Sequence, residues 1–327
     1  MRILLLGGTG FIGEYLAKNL SKRKDCQLDI IYNYSLPPEN KPDNISYYKI
    51  DLTLFASRTR ATNAGHANYA LSSMAQETAT CPSAPGRFSN SHFTKQSDNL
   101  KELVNKAEIL IILTQPNLGI INNLISVIRP GSCLKKIVYL STTLLYNDSS
   151  EKKDESARLE PTTEYEKNKY IEEQKLAEFV NKFNLNLCIA RLSNVYGDIK
   201  NKGLVGKIFT VVLKDESIKI NGSGTQVRDY IFIEDAVNLL EFLIYYKQVN
   251  KQEIFNICTS QGHSVSELIK TIKKVIAKKI NIINSPAILE KQTVVGDNNK
   301  IISLSGYKFK FNLLKGLEKT YINYKKL

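Results

Sequence analysis

Tyr165 and Lys169 stand four residues apart in the run Tyr165-Glu166-Lys167-Asn168-Lys169. On a helix, positions i and i+4 share a face. A lysine ammonium held beside a phenol favours the phenolate and draws its pKa down from about 10. A phenol tuned in that way can take a proton from an alcohol or return one to a ketone. Taken alone, the spacing more often marks a solvated helix face.

The N-terminus supplies a second chemical device. Arg2 to Leu6 is a short apolar run that reads as a buried strand, and Gly7-Gly8-Thr9-Gly10-Phe11-Ile12-Gly13 follows at once. A helical pattern runs on from Phe11, with Ile12, Leu16 and Leu20 on one face. Strand, glycine loop and helix in this order form the context of a dinucleotide fingerprint. Gly7 would allow the tight turn, Gly10 the approach of the backbone to a pyrophosphate, and Gly13 close helix–strand packing. The helix N-terminus then offers unpaired N–H groups and the positive end of its dipole to the anion.

Other stretches fall in order along the chain. Ser141-Thr142-Thr143-Leu144-Leu145-Tyr146 ends an apolar strand, and Arg191-Leu192-Ser193-Asn194-Val195-Tyr196-Gly197 follows. Farther on come Gly222 to Asp235, containing Gln226-Val227-Arg228-Asp229, then Phe255-Asn256-Ile257 and Ser264-Val265-Ser266-Glu267-Leu268. With the G-x-x-G-x-x-G loop and the Tyr-x-x-x-Lys pair, this set resembles the extended short-chain dehydrogenase/reductase family, in particular its NAD-dependent nucleotide-sugar epimerases and dehydratases.

The resemblance implies a Rossmann-type fold with NAD as cofactor and a nucleotide-diphosphate sugar as substrate. It implies Tyr165 as acid/base, Lys169 as its modulator and a ribose contact, and Thr142 as the hydroxyl that aligns the reacting oxygen, ahead of Thr143. Cofactor contacts are implied at Gly7, Gly10, Phe11, Ile12, Gly13, Asp51 and Leu52, with Asp51 near the adenine. Asp51 could instead cap a helix. Substrate contacts are implied at Thr142, Asn194, Leu204 and Arg228. An arginine suits a diphosphate because its planar fork donates two bonds at once. Its structural alternative is an ion pair with Asp229 or Asp235. The family's second phosphate-binding arginine has no match between Ala277 and Gly306, where only lysines occur. The second strand ends Tyr32-Asn33-Tyr34-Ser35 without an acid or an arginine, so NADP stays open beside NAD.

The reaction narrows by one absence. In the family's 4,6-dehydratases an Asp-Glu pair follows the catalytic Thr, whereas Thr143-Leu144 follow Thr142 here. Epimerisation at the sugar C4 is therefore expected, with reduction of a 4-keto sugar by NAD(P)H as the alternative. A non-catalytic dinucleotide-binding or RNA-associated relative is the further alternative, opposed by the joint presence of Thr142, Tyr165 and Lys169.

These groups need elements to hold them. Strands are expected at 2–6, 28–33, 46–50, 108–113, 136–142 and 185–190, with helices at 11–22, 97–106, 118–128 and 163–183 between them. Such alternation predicts an α/β fold with a doubly wound parallel sheet. Thr163 and Glu166 form the spacing of a capping box at the start of the helix bearing Tyr165. Residues 1–190 would form the dinucleotide-binding domain. Residues 191–327 would form a smaller α/β substrate lobe, partly interleaved with it and carrying helices at 234–246, 264–278 and 313–325.

Residues 55–94 differ from their surroundings. They hold eight of the chain's sixteen alanines and no Ile, Val, Lys or Asp. Their composition predicts a poorly ordered insertion between the third and fourth strands, with a lid or partner-binding loop as the functional alternative.

The chain has 327 residues and a net charge of +13. Its lysines are spread throughout rather than gathered with aromatics, so a nucleic-acid partner is not expected. Five scattered cysteines and three distant histidines argue against a metal site and for a reduced cytoplasmic setting. The first apolar run is too short for a signal peptide and no stretch reaches membrane-span length, so no membrane association is expected. The resemblance also implies a homodimer.

Overall fold

The computed structural model describes residues 1–53, 90–278, 280–287 and 290–326. In chain order the elements are β1 (Arg2–Leu6), α1 (Phe11–Leu20), β2 (Gln27–Tyr32), β3 (Ile45–Lys49), α2 (Asn90–Lys106), β4 (Ile109–Ile112), α3 (Leu118–Val127) and β5 (Lys136–Thr142). They continue with α4 (Glu164–Phe183), β6 (Asn186–Leu192), β7 (Asn194–Tyr196), α5 (Leu204–Leu213), β8 (Ile218–Asn221), β9 (Val227–Phe232) and α6 (Ile233–Tyr245). The remainder are β10 (Gln252–Ile257), β11 (Gly262–Ser264), α7 (Val265–Ile276), β12 (Ile282–Ser285), β13 (Thr293–Val294), α8 (Asn299–Ser305) and α9 (Leu313–Tyr324).

Seven parallel strands form the main sheet in the order β10-β6-β5-β4-β1-β2-β3. The order reverses beside β1, which places a crevice at the C-terminal ends of β1 and β4. Helices cover both faces, so the inner strands read as unbroken apolar runs. Strand β1 shows the consequence: Ile3 and Leu5 enter the core that holds Leu16 and Leu20 of α1, while Leu4 and Leu6 enter the one that holds Leu124 and Leu176. This split follows from the two-residue side-chain period of a strand.

The expected Rossmann-type doubly wound sheet is the one observed. Every strand and helix expected up to position 192 is present, with ends displaced by a few residues except at α2. That helix begins at Asn90 rather than 97, so the last five positions of the 55–94 segment belong to a helix. Residues 54–89, on which the insertion reading mainly falls, lie outside the described residues. The expected inward side chains of α2, Leu100, Leu103 and Val104, are buried.

Beyond β6 the chain builds two smaller sheets, β11-β9-β13 with β7 on β9, and β8-β12, and returns β10 to the edge of the main sheet. Lys136 stabilises the junction with α6. Its buried ammonium donates to the Leu243 carbonyl at 2.6 Å and the Tyr246 carbonyl at 2.7 Å, where the end of α6 leaves acceptors unpaired. Among the described residues no helix is long and apolar enough to cross a membrane.

Candidate functional site

The glycine loop runs from β1 into α1. Gly7 has φ +79°, a left-handed conformation that favours glycine, and its N–H bonds the Ile31 carbonyl. A Cβ on Gly13 would lie 2.2 Å from Gly7 O and 2.6 Å from Gly8 Cα, so only glycine permits this approach of helix to loop. Gly10 caps α1 without a side-chain acceptor, leaving the first-turn N–H groups around Phe11, Ile12 and Gly13 pointing out of the helix end. A Cβ on Gly10 would meet only Gly7 O, at 3.3 Å, so that side of the loop opens outward.

A chain of contacts leads from this loop to the Tyr/Lys pair. The Cβ position of Gly7 abuts Leu113 and Thr114, just past β4. Lys169 Nζ donates to the Thr114 carbonyl at 3.2 Å and to the Leu140 carbonyl of β5 at 2.8 Å. Leu140 lies two residues before Thr142, the last residue of β5. Loop, β4, α4 and β5 thus converge at one sheet end. There Ser141 Oγ is buried without a hydrogen-bond partner, and Thr142 Oγ1 accepts from Leu144 N at 3.2 Å. Accepting that bond leaves the Thr142 O–H available as a donor.

The electrostatics differ from the expectation in sign. Lys169 is 3% exposed, and burial pulls its pKa down to about 8, against Glu172 and Glu173, which favour the cation. Tyr165 is 39% exposed, yet its phenol is raised above 10, first by partial loss of solvent and then by the Glu172 and Glu166 carboxylates. The helical spacing identified the shared face but not the two acids placed on the same helix.

Glu172 belongs, with Glu173, to a buried network the sequence reading missed. Glu172 accepts from Asn117 N at 2.6 Å and from the Tyr139 hydroxyl, and lies 4.0 Å from Lys169 Nζ. Glu173 holds Arg191 with contacts of 3.2 and 2.7 Å, and Arg191 reaches the Tyr146 hydroxyl, which bonds Asn256 Oδ1. Their signal was visible: Glu172 and Glu173 fall seven and eight positions after Tyr165, two helical turns along the same side.

The start of α4 also differs from expectation. Thr163 Oγ1 caps by accepting from Glu166 N at 3.3 Å, but the Glu166 carboxylate does not return to the Thr163 N–H. It accepts instead from Thr162 N at 2.8 Å and pairs with Lys291 Nζ at 2.9 Å. A complete capping box is formed at Ser264 and Glu267.

The remaining candidates take up varied positions. Asp51 accepts from Thr53 N and Thr53 Oγ1 at 2.9 and 2.6 Å in a local turn, and the carbonyl of buried Leu52 accepts from Asn123. Asn194 donates to the Asp229 carbonyl at 3.1 Å, and Leu204, partly exposed, is the first residue of α5 after Gly203. Arg228 pairs with neither Asp229 nor Asp235. Its guanidinium reaches Glu290 at 3.2 Å, Lys291 O at 2.6 Å and Gln292 O at 3.2 Å. Asp229 is engaged with Ser193, Thr259 and Gln261, and Asp235 with Tyr307, Lys310 and Phe311.

Comparison with known proteins gives one family and one fold. The profile of the NAD dependent epimerase/dehydratase family matches residues 3–258. A solved UDP-glucuronic acid 4-epimerase from Bacillus cereus, in complex with UDP-glucuronic acid and NAD, aligns over 100% of this chain and 99% of its own, with TM-score 0.77 and 18% identity. A Thermotoga maritima UDP-glucose 4-epimerase with UDP-glucose aligns over 100% and 99%, with TM-score 0.76 and 20% identity. Among curated proteins, dTDP-D-glucose 4,6-dehydratase of Homo sapiens is 30% identical over 145 residues, 44% of this chain and 41% of that protein. A putative UDP-glucose 4-epimerase of Methanocaldococcus jannaschii is 30% identical over 171 residues, 51% of this chain and 54% of that protein. The matches therefore span about half or less of these curated relatives.

Proposed function

The chain belongs to the NAD dependent epimerase/dehydratase family, a family of enzymes, and from that premise we propose that it oxidises and re-reduces the C4 hydroxyl of a nucleotide-diphosphate sugar as a 4-epimerase. The observation that carries this reading is the contact chain from Gly7 through Thr114 and Lys169 to Leu140 and Thr142. It supports a reading in which a dinucleotide cradle lies against an acid/base pair and a hydroxyl donor. The cradle fits NAD: the Gly10 side is open and the α1 end offers N–H groups to a pyrophosphate, while Asp51, just past β3, would meet the adenosine. Bound there, NAD would supply the hydride acceptor and donor.

The protein's own groups handle the rest. Tyr165 takes the proton of the sugar hydroxyl and later returns it to the keto oxygen. Thr142 donates to that oxygen and fixes its angle to Tyr165. Asn194, Leu204 and Arg228 hold the nucleotide diphosphate. Arg228 would meet it beside Glu290, its present carboxylate partner. Thr143 and Leu144 contribute no acid or base next to Thr142, which favours epimerisation over elimination of water.

One observation favours the reductase alternative. Burial and the Glu172 and Glu166 carboxylates favour the protonated phenol, the form that donates to the keto oxygen of an incoming 4-keto sugar. The test is turnover of a panel of UDP- and dTDP-sugars, followed at 340 nm with NADH and NADPH. Interconversion of C4 epimers without net cofactor change supports the epimerase, and stoichiometric consumption supports the reductase. The Tyr165→Phe variant is expected to lose turnover while keeping NADH affinity. Undiminished turnover in that variant would overturn the mechanism.

A further inference from the structure

Lys291 is 7% exposed and lies far from Tyr165 in sequence, on the segment that leads into β13. Its ammonium bonds two groups, the Leu144 carbonyl and Glu166 Oε2, the latter at 2.9 Å. Leu144 belongs to the turn directly after Thr142, and Glu166 directly follows Tyr165. One side chain therefore holds the backbone behind the hydroxyl donor and the first turn of the helix bearing the acid/base.

We propose that Lys291 is a positioning residue that sets the separation of Thr142 and Tyr165. The proposal deepens the acid/base reading above and rests on it. The segment that carries Lys291 is itself tied down at several points. Asp148 accepts from Gln292 N and Thr293 N, both at 2.8 Å, and β13 runs parallel to β9. Arg228 donates to the Lys291 carbonyl and to the Glu290 carboxylate. The residue offered above as the diphosphate anchor thus grips the same short segment that braces the reacting groups. Substrate held at Arg228 and protons moved at Tyr165 share one frame.

A purely structural ion pair is the competing account. Buried pairs add little net stability over an apolar pair of the same size, because desolvating two charges offsets their attraction. Stability alone therefore gives little reason for a lysine here, whereas a donor that spans two backbone segments fixes a distance that an apolar contact leaves loose. The charged groups around Lys291 are Glu166 from α4, Asp148 from the loop after β5, and Arg228 from β9 with Glu290 beside it.

The experiment uses the full chain and whichever of UDP-glucose, UDP-galactose, UDP-glucuronate, UDP-N-acetylglucosamine and dTDP-glucose it turns over fastest. Lys291→Met is expected to lower kcat by about 10- to 100-fold, the scale of a misplacement near 1 Å, with KM and the NADH dissociation constant unchanged. Glu166→Ala should lower kcat similarly. Glu166→Gln keeps acceptors for Lys291 and Thr162 and should recover most of that loss. Wild-type kcat in Lys291→Met overturns the proposal, as does a loss confined to KM. If Lys291→Met does not fold, the Glu166→Ala and Glu166→Gln pair decides it, and equal rates for the two overturn it. Failure of the underlying reading has a different signature: no sugar is turned over, or Tyr165→Phe stays active.

Discussion

Adding one methyl group at Gly13 or at Gly10 should separate folding from cofactor binding. At Gly13 the new Cβ would sit 2.2 Å from Gly7 O, 2.6 Å from Gly8 Cα and 2.8 Å from Gly8 C. All three are backbone atoms, so no side chain can turn aside and α1 must move off the loop by roughly 1 Å to restore van der Waals contact. Overpacking of this kind costs about 1–3 kcal/mol, and rigid neighbours put it at the upper end. Loss of the Gly10 N to Gly7 O bond adds about 1 kcal/mol, and the better helix propensity of alanine offsets about as much. The net cost is about 3 kcal/mol, a fall in melting temperature of roughly 5 °C in a chain of this size. At Gly10 the Cβ meets only Gly7 O at 3.3 Å. Gly10→Ala should therefore stay within about 1 kcal/mol of wild type. Its methyl group nevertheless enters the space where the backbone must approach a pyrophosphate, and NADH affinity should fall more than about tenfold. Thermal unfolding by circular dichroism and NADH fluorescence titration measure the two effects. A Gly13→Ala protein that melts like wild type, or a Gly10→Ala protein that binds NADH undiminished, would refute the reasoning.

Two further outcomes concern the network beneath the site. Lys169 has a folded pKa near 8 against an ordinary 10.5. Below pH 8 both states hold its proton and the full burial cost is present. Between about 8 and 10.5 the unfolded chain binds more protons, so stability should rise with pH by up to roughly 3 kcal/mol. Denaturant unfolding of wild type and Lys169→Met at pH 7.5 and 10 isolates this rise, and parallel pH dependence in the two proteins would show that Lys169 is not the cause. Arg191→Leu strands Glu173 and should cost about 3–5 kcal/mol. A midpoint shift equivalent to less than about 1 kcal/mol would mean that Glu173 finds another partner or a proton.

Much of the fold was legible because it is written in local patterns. Strand β1 is a run of buried aliphatics followed by glycines, α4 begins after Thr163 as its capping residue predicts, and β5 has the bounds its pattern gave. The start of α2 was misplaced because its first turn lies in a stretch without an apolar period. At the site, residue types and chain order indicated Thr142, Tyr165 and Lys169, and the contacts around Lys169 link their elements. What the sequence could not convey were pairings across long separations. Arg228 with Glu290 and Glu166 with Lys291 join segments more than sixty residues apart, and no spacing rule reaches that far.

The sign of the Tyr165 shift is the sharpest case. A four-residue spacing says which side chains share a face, whereas a pKa depends on every charge nearby and on access to water. Lys169 donates to two backbone carbonyls, and burial draws its own pKa down to about 8. Glu172 and Glu166 act on the phenol from the same helix with the opposite sign. A phenol that keeps its proton is ready to protonate a keto oxygen and poorly placed to deprotonate an alcohol. An epimerase needs both steps in every turnover. A reductase needs only the step this geometry favours.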